Sequence, residues 1–219
     1  MIKMAHPAIP YVAPYAAFLF FLALKSYFPR EYPIRVIAVA AIVILFTRKI
    51  VSLHLSHPIQ SILAGALVFV TWIGPGLLSS TYRQHWLFHN ALMGTATSSL
   101  PQDLRTDPVF LLFRIAGTAF LVPVIEELFW RGWLMRFLIS PDFQKVRLGA
   151  YSAFSFGLTA LLFASEHGPY WEVGLIAGIV YGWWMVRTGS LGDCILAHGI
   201  TNGCLAAYVI GAAQWQYWL

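Results

Sequence analysis

The sequence predicts an all-α membrane protein, a polytopic bundle of about seven transmembrane helices. Three observations carry this. The chain is 59% hydrophobic and only 11% charged, which leaves too little polar surface to solvate a compact globule. Apolar stretches of about 20 residues, the length a helix needs to cross a bilayer, recur from one end of the chain to the other. The few ionisable groups inside those stretches fall into three clusters with helical spacing, and ionisable groups at membrane depth face a bundle interior rather than lipid.

The first span covers residues 8–28. Lys3 precedes it, as in a signal peptide, but the run is long and aromatic and ends without a small-residue cleavage site, so it is read as retained. Spans at 34–51 and 59–78 follow. The polar stretch 79–107 contains YRQHWLFHNALMG, which reads as an amphipathic helix lying along the interface. The fourth segment, 108–138, is too long for one straight crossing, and Pro123 within it removes a backbone donor and predicts a kink or break. Spans at 150–168, 170–187 and 190–211 complete the set, with six or eight as alternative counts. Gly174, Gly178 and Gly182 recur every four residues in the sixth span, and Gly199 and Gly203 do so in the seventh. This spacing lets helix backbones approach closely. The tail QWQYWL reads as an aromatic anchor at headgroup level. With no linker, low-complexity tract or internal repeat in view, residues 1–219 are expected to form a single membrane domain.

The formal charge of +5 and pI of 9.4 do not point to nucleic acid, because the basic residues are spread singly among loops. Lipid headgroups and membrane orientation explain them. Seven spans place Lys3, Arg48, Lys49, Arg136, Lys145, Arg147 and Arg187 on the N-terminal side, against Lys25, Arg30, Arg35, Arg83 and Arg105 on the other. Seven against five favours a cytoplasmic N-terminus. Cys194 and Cys204 share one segment ten residues apart, about 15 Å of helical rise, which excludes a disulfide within it.

The chemistry resides in the three clusters. In EELFWR, Glu127 and Arg131 are four apart and share a helix face, whereas Glu126 points about 100° away. One carboxylate is thereby neutralised and the other left free, unless both are simply helix-end groups near the headgroups. In FASEH, Phe163 precedes His167 by four, and the neighbouring Glu166 reads as solvated because Gly168 and Pro169 break the chain there. Alone, this histidine would read as interfacial. In HGITN, His198 and Asn202 lie four apart on one face of the seventh span, where each could also be an ordinary interhelical hydrogen-bonding group. Together a free carboxylate, two histidines and an amide supply a general base, its orienting partner and donors for a developing oxyanion. The same set could hold a divalent metal, with Glu126, His167 and His198 as ligands and a bound water as nucleophile. His54 with His57 and His85 with His89 also have ligand-like spacing but fall in loops or at interfaces.

These three strings, in this order and each in an apolar segment, resemble the signatures of the CAAX-processing and bacteriocin-processing intramembrane proteases: two glutamates with an arginine four after the second, a phenylalanine with a histidine four on, and a histidine with an asparagine four on. They span Glu126 to Asn202, about a third of the chain. The resemblance implies a helical fold enclosing a polar intramembrane cavity and a membrane-associated peptide or protein substrate. It implies catalytic roles for Glu126, Glu127, His167, His198 and Asn202, with Arg131 and Phe163 in support. Glutamate and the first histidine would activate water, with the second histidine and the asparagine on the oxyanion. No cofactor is required on that scheme; zinc is the alternative. The runs YPIRVIAVAA and AGALVFVTWIGP resemble a bacterial subgroup associated with exosortase systems, which implies a prokaryotic inner membrane.

One expectation conflicts with these boundaries. His167 lies about 17 residues into its segment, roughly 25 Å of helix, and His198 only about 8, roughly 12 Å, although both segments enter from the same side. The fifth span must begin later, tilt or break. The competing readings are a membrane scaffold and a small proton-linked transporter, the latter without the repeated halves common in transporters.

Overall fold

The computed structural model describes residues 6–24, 27–28, 30–48, 50, 54–98 and 100–218, so Lys3, Lys25 and Lys49 of the charge comparison lie outside the described residues. Among the described residues there are seven main helices: α1 (Ile9–Ala23), α2 (Tyr32–Phe46), α3 (Pro58–Leu78), α4 (Pro108–Phe137), α5 (Ala153–Ser165), α6 (Trp171–Thr188) and α7 (Leu191–Gly211). No strand occurs among the described residues, apart from one isolated bridge between Asn90 and Gly94. Three helices, α3, α4 and α7, are long and apolar enough to cross a membrane by themselves, and the protein is a membrane protein.

The helix starts follow from local chemistry. Proline sits in the first turn of α1, α2, α3 and α4, where its missing N–H costs nothing. Asp107 caps α4 by accepting from the Val109 and Phe110 amides, and Ser152 and Ser190 cap α5 and α7. The α3 start is completed from a distance, since Asp193, fully buried in the first turn of α7, accepts from the amides of Ser56 and His57 at 3.1–3.2 Å. Gly189, at φ +63°, ends α6 in the left-handed conformation.

Two expectations are corrected. The run 82–94 is not an amphipathic helix: only Tyr82–Gln84 form a single 3₁₀ turn, and the rest is turns tied together by the Asn90 side chain and the Gly94 bridge. It covers one end of the bundle, with the Leu87 carbonyl accepting from Trp171 Nε1 (3.1 Å) and Arg83 donating to the Pro169 carbonyl (2.6 Å). The tail is also more than an anchor, because Trp218 is buried, its carbonyl accepts from Ser98 Oγ, and the Gln216 carbonyl accepts from Tyr170.

The depth conflict at His167 is resolved by α5. It begins at Ala153, ends at Ser165 and has 13 residues, about 20 Å of helix and short of the roughly 30 Å hydrocarbon core. The α5–α6 turn is therefore partly covered by residues of the 79–107 segment, with Ser165 and Glu166 exposed and Pro169 and Tyr170 buried, and it places His167 beside Phe163 and Trp72.

Small residues set the helix spacing, as the glycine pattern predicts. A side chain on Gly178 would press on the Ala160 backbone, and one on Gly199 would meet the Ala119 carbonyl oxygen at 3.0 Å. The α3–α7 contact, the most extensive between helices, depends on Gly65, where an added Cβ would run into the Ala197 carbonyl. Gly65→Val should therefore cost about 1–3 kcal/mol of stability, whereas Gly74→Ala, with nothing within 4 Å, should stay within about 0.5 kcal/mol. Unfolding in detergent measures both, and equal effects would contradict this packing.

Candidate active site

The site begins with an ion pair. Arg131 Nη1 donates to Glu127 Oε1 at 3.1 Å, with both side chains fully buried, as the four-residue spacing predicts. The guanidinium also donates to the Gly178 carbonyl on α6 (3.2 Å) and lies over the rings of Phe163 and Tyr181, at 4.6 and 5.5 Å. Glu127 does more than hold its own helix, since the same Oε1 accepts from His198 Nδ1 on α7 at 2.9 Å. Four helices meet at this pair.

Glu126 is turned away from the arginine and keeps 13% of its side chain exposed. Its Oε2 makes no hydrogen bond to the protein and lies 4.0 Å from His198 Nε2. His198 thus has one ring nitrogen committed to Glu127 and the other facing Glu126. Its ring stacks on Tyr181 at 4.9 Å, and the Tyr181 hydroxyl donates to Thr201, which in turn donates to the Gly65 carbonyl.

His167 is fixed through Nδ1, 2.8 Å from the Phe163 carbonyl. A carbonyl can only accept, so Nδ1 carries the hydrogen, and in the neutral ring Nε2 is left with a lone pair. Phe163 stands between the two histidines, 4.8 Å from His167 and 6.1 Å from His198 by ring centroid. Its role is thereby visible: carbonyl partner to one histidine and aromatic spacer for both.

Asn202 lies one turn of α7 beyond His198, and its Nδ2 donates to the Thr118 carbonyl at 2.9 Å. The reason is a ladder defect at Pro123. Instead of breaking there, α4 passes through the proline with a π-helical stretch at Gly117–Leu121, and the Val122 amide bonds to Gly117, five residues back. The next carbonyl in that register, Thr118, would look to Pro123, which has no N–H. The kink that the proline predicts becomes a change of register, repaired from α7.

The structure thus brings Glu126, Glu127, Arg131, Phe163, His167 and His198 together, and holds Asn202 one turn away against α4. Sequence reasoning missed four neighbours. Glu166 is exposed, as the chain break beside it predicts, and its carboxylate also accepts a hydrogen bond from the buried Tyr15 on α1. Tyr181 stacks on His198, and Trp72 of α3 packs edge-on against His167 at 5.2 Å. Only Tyr181, in the small-residue stripe of α6, carried a local signal. His167 and Glu166 border a cavity of about 490 Å³ that extends under Thr95 and Thr97 of the covering segment.

A metal finds no ready ligand set. Among the described residues no three His, Cys, Asp or Glu side chains are grouped to hold an ion. His57 instead lies 3.7 Å from Asp193, and His85 Nδ1 accepts from the Leu87 amide.

Fold and site define a polytopic helical membrane protein with a buried carboxylate and imidazole centre. Residues 108–204, which carry the three motifs, match the family model described as type II CAAX prenyl endopeptidase Rce1-like, in line with the resemblance that those motifs carry. The match does not extend to the runs that resemble the exosortase-associated subgroup. No curated protein and no solved structure matches the chain.

Two outcomes follow. Arg131→Ala would leave Glu127 buried beside an imidazole alone and should cost about 3–5 kcal/mol, read as lower folded yield and melting temperature; an unchanged melt would refute the pairing. Asn202→Ala should destabilise less in a Pro123→Ala background, where residue 123 regains an N–H for the ladder. Strictly additive effects in that double-mutant cycle would rule out the repair.

Proposed function

We propose that this protein hydrolyses a peptide bond of a membrane-associated protein or peptide, with Glu126 as the group that activates water. The observation that supports this is the unequal fate of two adjacent carboxylates. Glu127 gives its Oε1 to both Arg131 and His198, although its Oε2 is unbonded, whereas Glu126 makes no hydrogen bond to the protein and its Oε2 faces an imidazole across 4.0 Å. Such a gap suits one water-sized reactant between the two groups.

On this reading, Glu126, assisted by the Nε2 lone pair of His167, takes a proton from water as its oxygen bonds to the scissile carbonyl carbon. The carbonyl electron pair moves onto oxygen, which receives a hydrogen bond from the second amide hydrogen of Asn202 and, from the doubly protonated ring only, one from His198 Nε2–H, since Nδ1–H is committed to Glu127. The Thr118 carbonyl fixes that amide by taking its first hydrogen. Collapse re-forms the carbonyl and breaks the C–N bond, and the leaving amine takes the proton held by Glu126. Glu127 keeps His198 oriented through Nδ1, as a carboxylate does in other hydrolytic sites. The apolar groove between α4 and α7, about 630 Å³ and bordered by Ala119, Val124, Gly199 and Gly203, would receive the apolar part of the substrate. That the family is described by prenyl substrates makes a lipid-modified substrate one candidate for this groove.

No step is routed through a metal. Purified protein should cleave a membrane-anchored peptide and survive prolonged chelation, Glu126→Gln should abolish turnover, and Asn202→Ala should slow it about 100 to 1,000-fold while remaining folded. Activity that is lost on chelation and restored by zinc would overturn the scheme and make Glu126, His167 and His198 the candidate ligands.

A further inference from the structure

The reaction scheme leaves out Glu166, yet this carboxylate is a wall of the cavity beside His167. Three aromatic rings form much of the remaining surface. Trp72 and Tyr170 are near-parallel, with centroids 6.3 Å apart and planes at 19°, and Tyr217 follows at 5.4 Å from Tyr170. Among the described residues that border the cavity there is no Lys or Arg, and the one carboxylate is Glu166. Arg83 lies against Tyr170, 4.3 Å from the ring centroid, but it is not part of the lining, and Glu172 and the Pro169 carbonyl hold its guanidinium at 2.6 Å each.

Glu166 is held in place. Tyr15, buried between Phe129 (4.5 Å) and Trp130 (5.8 Å), donates its hydroxyl hydrogen to Oε1, which leaves the second carboxylate oxygen for a donor inside the cavity. An oriented carboxylate with aromatic faces around it is a receptor for a cation, because the ring faces are electron-rich and the carboxylate supplies charge-assisted hydrogen bonds. The same lining disfavours an anion: a substrate's free C-terminal carboxylate would meet a like charge here with no cation to pair it.

Resting on the proteolytic reading, we propose that this cavity is a specificity site for a basic side chain, lysine or arginine, of the substrate. His167 contributes both to the cavity wall and to the reaction centre, which puts the basic residue within a few positions of the bond that is cut. Substrates would be recognised by an apolar segment in the groove between α4 and α7 and a cationic residue beside Glu166.

The test measures binding and cleavage separately. N-palmitoylated, C-terminally amidated fluorescent peptides carry a single lysine moved one position at a time, and each has a norleucine counterpart of similar shape without the charge. Binding to the Glu126→Gln protein in detergent is read by anisotropy, so that no turnover is needed. At one or two adjacent positions the lysine peptide should bind about tenfold more tightly than its norleucine counterpart. In the Glu126→Gln, Glu166→Gln double variant the preference should fall to near unity while norleucine peptides bind as before, since the side-chain amide oxygen that replaces the Glu166 carboxylate still accepts from Tyr15. Trp72→Leu should reduce it several-fold.

Equal binding of lysine and norleucine peptides at every position, or a preference that survives Glu166→Gln, overturns the proposal. Cleavage by the wild type is scored independently. A lysine preference in binding without cleavage of any peptide would sink the proteolytic reading and leave the cation site standing, whereas cleavage with no lysine preference would do the reverse.

Discussion

A guanidinium inside an apolar bundle must be paired, and the Glu127–Arg131 contact is the interaction on which this structure depends. Neither residue has water to fall back on. Arg131 therefore recruits the Gly178 carbonyl and the faces of Phe163 and Tyr181, and Glu127 recruits His198. Together these partners tie α5, α6 and α7 to α4. One carboxylate of the adjacent pair is spent in this way, and the helical twist of about 100° per residue delivers the other, Glu126, to the side where the imidazoles stand. Neutralising one charge and leaving its neighbour free are two consequences of the same geometry.

Pro123 supplies a second constraint. A proline three residues before the first glutamate would ordinarily end or bend a helix. Here a π-helical register absorbs it, and the carbonyl that this strands is met by Asn202 from α7. The HGITN motif and the proline of α4 are thus structurally linked, and the asparagine has a helix-clamping duty whatever else it does. The close approach that makes the clamp possible depends on Gly199, beside which the Ala119 carbonyl passes.

The first half of the chain, residues 1–107, lies outside the family match but reaches the site. Trp72 packs on His167, Gly65 gives Thr201 its acceptor, and Tyr15 holds Glu166. Residues of the 79–107 segment partly cover the turn that follows the short α5. The polar cavity exists because α5 stops early. A full-length helix there would carry His167 toward the bundle surface.

What the sequence by itself determined is the part of this protein that depends on local spacing. The all-helical class, the positions of the seven helices, the Glu127–Arg131 pair at i and i+4, and the glycines at which helices touch all follow from periodicity and from the cost of polar groups in lipid. The three motifs are legible for the same reason, since each is a one-turn pattern within a single helix. What only the tertiary structure decided involves partners far apart in the chain. No local pattern joins Tyr15 to Glu166, 151 residues away, or His198 to Glu127, 71 residues away. The α5 boundary escaped as well, because the Gly168–Pro169 break marks the end of the run three residues past Ser165 and only the packing of the α5–α6 turn against the covering segment shows where the helix ends. Whether an exposed residue such as Glu166 also gains a tyrosine partner is settled by which helices become neighbours, and that is a property of the assembled bundle.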